Sequence, residues 1–199
     1  TEYGTLYTCR ELEELSRVCR ERDLKLFVDG ARLAYALASP ANDVTLADLA
    51  RLTDVFYIGG TKCGALFGEA VVIPTRGSIR QFVTQMKQHG ALLAKGRLLG
   101  VQFEALFEDD LYLRIGTPAV EATARIRGAL RQAGYVVTMN SPTNLTFVAL
   151  DQAGHERLSR KVRYGIWETL PDGRLLARLG TSWATPDTDV AAFEEALAR

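Results

Sequence analysis

The chain has 199 residues, 24 of them basic and 24 acidic, and 47% of it is hydrophobic. That is enough apolar material for one large or two small cores. The balanced charge gives no electrostatic footing for nucleic acid or an anionic membrane surface. No apolar run reaches the length of a membrane span, and the opening TEYGTLYTCR lacks the apolar stretch of a signal peptide. Cys9, Cys19 and Cys63 are odd in number and form no CxxC pair. They read as reduced thiols of a cytoplasmic protein, not as a disulfide framework or a zinc site. The sequon at Asn144 is then a chance match. The text starts on threonine as if in mid-fold, so a piece of a longer polypeptide is expected.

In chain order, Thr8 and Glu11 have capping-box spacing, and Leu12, Leu15, Val18 and Cys19 recur at helical intervals. LKLFVD reads as a buried strand ending at Asp29. GARLAYALA looks helical until SPAND breaks it, and Thr45 caps a short helix to about Leu52. DVFYIG and GEAVVIP read as two further strands, with a glycine-rich turn carrying Lys62 between them. This alternation indicates an α/β layered domain with a largely parallel sheet. Residues 77–109 are mainly helical with a break near Gly90, and Pro118 suits the first turn of a helix running to about Gln132. YVVTM and LTFVALD are strand-like around a turn at 140–144, and a helix covers about His155 to Tyr164. GIWETLPDGRLLARLGTSW reads as a hairpin turning on Pro171, Asp172 and Gly173, and a last helix starts near Pro186. The pattern change near residue 112 divides the chain into 1–112 and a small α/β domain, 113–199.

Lys62 stands alone in a small and apolar stretch, FYIGGTKCGALFGEAVVI. Most such lysines are ordinary loop residues. Here Gly59, Gly60 and Thr61 offer close backbone approach, free N–H groups and a hydroxyl, all suited to an anion such as phosphate. Partial desolvation would lower the lysine's pKa and make it a nucleophile that forms Schiff bases with carbonyl compounds. Asp29 ends a strand where ligands of open α/β sheets collect, although a helix N-cap would also place it there. Arg32 faces the same mouth. Strand alternation sets Arg178 with Leu176, opposite Leu175, Ala177 and Leu179. Its fork suits a carboxylate or phosphate, against the plainer reading of a salt bridge on an exposed strand face. GxxxxGK[ST], GxGxxG and HExxH motifs are absent, and the two histidines, His89 and His155, read as surface residues.

FVDGARLAYAL, DVFYIGGTKCGALFGEAVVI and ARLGTSWATPDTDV together resemble the PLP-dependent beta-eliminating lyase and threonine aldolase family. TEYGTLYTCRELEELSRVCRERDLKLFVDGARL and KQHGALLAKGRLLG extend the likeness over nearly the whole chain. DGAR, the later lysine and a late strand arginine are specific in combination. The resemblance implies an aspartate-aminotransferase-like fold. Residues 1–112 would be the C-terminal portion of its large, mostly parallel-sheet domain, and the N-terminal part with the phosphate cup and ring-stacking residue would be missing. It implies pyridoxal 5′-phosphate (PLP) as cofactor, with Lys62 as the Schiff-base lysine and Asp29 on the pyridine nitrogen. It also implies Arg32 and Arg178 on the substrate carboxylate, Thr61 near the cofactor phosphate, and Lys87 reaching a neighbouring subunit's site. GGTK departs from the commoner Ser-x-Ser-Lys and loses one hydroxyl.

The activity implied is cleavage of L-threonine or L-allo-threonine to glycine and acetaldehyde. The alternatives are β-elimination from another amino acid, or a fragment or assembly subunit without catalysis. Partners implied are an amino-acid substrate and a second copy, in a homodimer or homotetramer with shared sites, without nucleic acid or membrane.

Overall fold

Two capping boxes start the first long helices. In α1 (Cys9–Glu21) the Glu11 N–H donates to the Thr8 hydroxyl at 3.2 Å, and the Thr8 N–H donates to the Glu11 carboxylate at 2.7 Å. Thr45 and Asp48 repeat this at α3 (Leu46–Leu52). Both starts are set by neighbours in sequence, which is why the Thr8–Glu11 spacing and the Thr45 cap could be read there. The structure, a computed structural model, describes residues 2–139 and 141–198. The predicted turn at 140–144 opens on Asn140, outside the described residues.

The first sheet has the order β1-β2-β3. β1 (Phe27–Val28) runs parallel to β2 (Val55–Gly59), and β2 runs antiparallel to β3 (Glu69–Val72). The buried strand expected over LKLFVD is corrected. Two residues are strand, β1 is an edge, and Phe27 is 57% exposed. An apolar run reports affinity for a core without saying what covers it. The stripe predicted on α1 is likewise half realised: Leu12 is buried, Leu15 and Val18 are exposed, and Ser16 is buried with its hydroxyl donating to Leu52 O at 2.7 Å.

α2 (Leu33–Leu37) follows β1. Beyond β3 come α4 (Phe82–Gln88), α5 (Arg97–Phe107) and α6 (Leu111–Arg114). Gly90, at φ +70°, stands in the predicted break between α4 and α5. α7 (Thr117–Gln132) has Pro118 in its first turn, where the missing N–H costs nothing.

The second sheet has the order β4-β5-β7-β6 and is antiparallel throughout. Its strands are β4 (Val136–Val137), β5 (Leu145–Leu150), β6 (Gly165–Thr169) and β7 (Leu175–Gly180). α8 (Gln152–Ser159) starts before His155, where the helix was predicted to begin, because Asp151 caps it, its carboxylate accepting the Gly154 N–H at 2.7 Å, and it ends before Tyr164. α9 (Asp187–Ala198) completes the described fold.

One hydrophobic cluster joins Tyr35, Leu49, Phe56, Ile58 and Tyr112; another joins Leu130, Val148, Leu150, Leu158 and Ala177. α7 serves both, giving Ala119 and Val120 to the first and Leu130 to the second. That shared helix fixes the strand carrying Arg178 relative to the sheet carrying Asp29. No described helix is long and apolar enough to cross a membrane.

Candidate active site

Two glycines let the chain cross itself. The Gly59 N–H donates to Gly30 O at 2.9 Å. A Cβ on Gly30 would lie 1.8 Å from Tyr57 O, and one on Gly59 would lie 2.4 Å from Ala31 O. No side chain fits either gap, so glycine is required in both DGAR and GGTK. The crossing sets Asp29, just past β1, beside the loop that leaves β2 with Lys62. Both lie at the carboxyl end of the parallel strand pair, where open α/β sheets bind ligands.

Asp29 is exposed. Its Oδ1 accepts the Ala31 N–H at 3.0 Å and the Tyr57 hydroxyl at 2.5 Å. The competing N-cap reading is not what the fold shows, since α2 has Arg32 at its N-cap. Burial pushes the Tyr57 hydroxyl up to about 12, with the bond and charge of Asp29 adding to it. Tyr57 therefore stays a donor at neutral pH.

Arg32 is half-buried. Burial pulls its pKa below the ordinary value, and the like charge of Arg178 pulls further, while Asp29 opposes both. Arg32, at the head of α2, and Arg178, on β7, thus share one field. Alternation on β7 places Ala177 and Leu179 in the second cluster, and Leu176 beside Trp167 on the other face. Arg178 points to that latter face and lies 4.5 Å from the Trp167 ring centroid. Among the described residues no carboxylate forms an ion pair with Arg178, so the salt-bridge reading is not realised.

The loop after β2 corrects two expectations. The Lys62 side chain is exposed, so its small and apolar sequence neighbours do not desolvate it. The N–H groups expected to be free are engaged: Gly59 with Gly30 O, Thr61 with Gly68 O at 3.1 Å, and Gly60 with Glu69 Oε2 at 2.6 Å. The hairpin into β3 closes this loop on itself and brings Glu69 back to its start. The exposed Thr61 hydroxyl has a long contact, 3.4 Å to Gly68 O, and is the polar group left for an anion. Lys87 is exposed in the last turn of α4. A separate cavity of about 360 Å³ beside β1 reaches Asp29 and Arg32 through a largely apolar wall that includes Leu6, Leu12 and Phe27. It does not include Lys62 or Arg178.

The model of the family described as beta-eliminating lyase matches residues 1–163. The chain belongs to that family. It is 34% identical over 205 residues to a low specificity L-threonine aldolase of Pseudomonas aeruginosa, covering 100% of this chain and 56% of that protein. A solved structure of Leishmania major threonine aldolase superposes with a TM-score of 0.93 at 45% identity, over 100% of this chain and 58% of the other. Serine palmitoyltransferase of Sphingomonas wittichii shares the fold alone: 16% identity, TM-score 0.62, with 93% of this chain and 50% of that one covered. The architecture is accordingly the aspartate-aminotransferase-like fold of PLP enzymes. The chain spans little more than half the length of the curated relative it matches.

The family is one of lyases, and its cofactor is PLP. The residues present fit two ends of that molecule. An exposed amine on Lys62 suits an aldehyde, and a carboxylate fixed by two donors on one oxygen suits a protonated ring nitrogen. The third end fits less well, because the backbone N–H groups of the glycine-rich loop already have acceptors. Sequence reasoning missed Tyr57, Tyr35, Glu69 and Trp167. A usable signal existed for the tyrosines: a buried phenol seeks a partner for its hydroxyl.

Proposed function

We propose that this chain carries the lysine-bearing part of a PLP-dependent lyase that cleaves the Cα–Cβ bond of L-threonine or L-allo-threonine, giving glycine and acetaldehyde. The observation that carries this reading is the pairing of Arg32 and Arg178. Burial and the like charge of Arg178 hold the Arg32 guanidinium below its ordinary pKa, and a substrate carboxylate in that shared field would suit both forks. The threonine aldolase names of the relatives with 34% and 45% identity support the choice of substrate.

Lys62 would hold the cofactor through its aldehyde carbon, Asp29 through its ring nitrogen, and Thr61 would lie near its phosphate. When bound, PLP supplies a sink for the electron pair of the broken bond. Arg32 and Arg178 fix the substrate carboxylate and so orient the Cα–Cβ bond, an entropic contribution to rate. Asp29, restrained by Tyr57 and the Ala31 N–H, keeps a proton on the ring nitrogen. As Cα–Cβ breaks, the substrate hydroxyl proton would pass to solvent and acetaldehyde would leave. The exposed Lys62 amine, released from the aldehyde carbon by the incoming substrate and protonated, would return a proton to Cα so that glycine leaves.

We place residues 1–112 in the cofactor-binding domain and 113–199 in a small C-terminal domain, in a cytoplasmic homodimer or homotetramer. Exposed Val83, Leu92, Leu93, Leu98 and Val101 on and between α4 and α5 are the surface available to a second copy, and Lys87 on α4 would reach that copy's site.

The test is reduction of the full-length protein with borohydride in the presence of PLP, followed by peptide mapping. An adduct on the Lys62 peptide is expected; a folded protein without it would leave the non-catalytic assembly role. Product analysis then decides the chemistry. Acetaldehyde with glycine supports the aldolase, whereas pyruvate with ammonia would replace it by β-elimination.

A further inference from the structure

Tyr35 is 1% exposed, yet it belongs to a five-residue helix, α2, that begins directly after Arg32. Its hydroxyl donates to the carbonyl of Lys62 at 2.5 Å and accepts the Trp183 N–H at 3.3 Å. Trp183 lies in the loop leaving β7, the strand that carries Arg178. Burial pushes the phenol up to about 12, so it keeps its proton and serves both partners at neutral pH. One side chain therefore connects the peptide of the lysine, the helix headed by one arginine, and the segment leaving the strand of the other.

We infer that Tyr35 is a positioning residue that sets the span between Lys62 and the Arg32–Arg178 pair. The inference rests on the function proposed above. Other polar links also join the segments around the two sheets: the Ser39 hydroxyl donates to Pro142 O at 2.9 Å, and Ser141 and Thr143 donate to Gly4 O. None of these touches a candidate site residue, so they hold the units together without fixing that span. Tyr35 differs because both its partners are peptide groups of the site's own segments. A substrate held by its carboxylate must present Cα to the group anchored at Lys62, and a shift of about 1 Å there is enough to misplace the reacting bond.

The experiment compares full-length wild type, Tyr35→Phe and Ser39→Ala, each loaded with PLP, after adduct mapping at Lys62 in the wild type. Phenylalanine fills the same space and removes the two hydrogen bonds. The expected result is a KM for L-threonine raised by about fivefold or more in Tyr35→Phe, with Lys62 still labelled. Ser39→Ala, equally a lost link between the two parts of the fold, is expected to keep KM within about twofold of wild type. Equal KM shifts in the two variants, or no shift in Tyr35→Phe, would reduce Tyr35 to a packing residue and overturn the inference. If the wild type takes no label at Lys62, the function itself falls and the inference with it. Should Tyr35→Phe not fold, hydrogen exchange at the wild-type Trp183 amide decides: protection is expected, and exchange as fast as in a free peptide would overturn the bridge.

Discussion

The two sheets solve the same problem to different degrees. In the second, all six residues of β5 are buried, and its neighbours β4 and β7 pair on both sides. In the first, β1 has two residues, one paired side and an exposed Phe27. Asp29 follows that open edge, and Lys62 leaves the strand beside it. Asp29 and Lys62, the proposed cofactor ligands, thus stand at the less enclosed sheet, while Arg178, the proposed partner of Arg32, is carried by the more enclosed one. Enclosure provides rigidity where aim matters, and openness provides access where a cofactor must enter.

Phe147→Ala strikes the closed sheet at a fully buried ring packed with Tyr3 and Trp167. Its cost should be about 3–5 kcal/mol in denaturant unfolding. A loss below about 1 kcal/mol would mean that this sheet is no better enclosed than the other. Gly59→Ala drives a Cβ against Ala31 O at the crossing of the two site segments. It should cost about 1–3 kcal/mol and lower labelling of Lys62. Full stability together with full labelling would show that the crossing is not needed. Phe27→Ala is the counterpart on the open edge, and in the 199-residue chain it should cost less than about 1 kcal/mol. A value as large as that for Phe147 would erase the contrast. The same substitution in the full-length protein sharpens it, because a larger cost there would show that another segment covers β1.

What the sequence disclosed follows the same division between local and distant causes. The capping boxes, the Gly90 break, Pro118 and the alternation around Arg178 depend on residues close in the chain, and each could be read. Exposure of Phe27 and Leu15 could not, because it depends on what lies across from them. The candidate site residues were singled out in DGAR, GGTK and a late strand arginine, and the roles proposed for them came from the family resemblance. Their supports were not: Tyr57 meets Asp29, and Tyr35 meets Trp183, across sequence separations that no local pattern encodes. The free N–H groups expected around GGTK were lost to Gly68 and Glu69, partners supplied by the hairpin's return strand.

The Glu69 contact has a consequence for competition. A carboxylate tethered nine residues away meets the Gly60 amide at an effective concentration of about millimolar or more. Any outside anion therefore meets this amide as a rival to an internal ligand and not as a vacant seat. A dianionic phosphate can win that exchange only if Glu69 swings out, carrying its own negative charge away from the newcomer. The Gly60 amide is in this sense an occupied seat, and its occupant belongs to the chain itself.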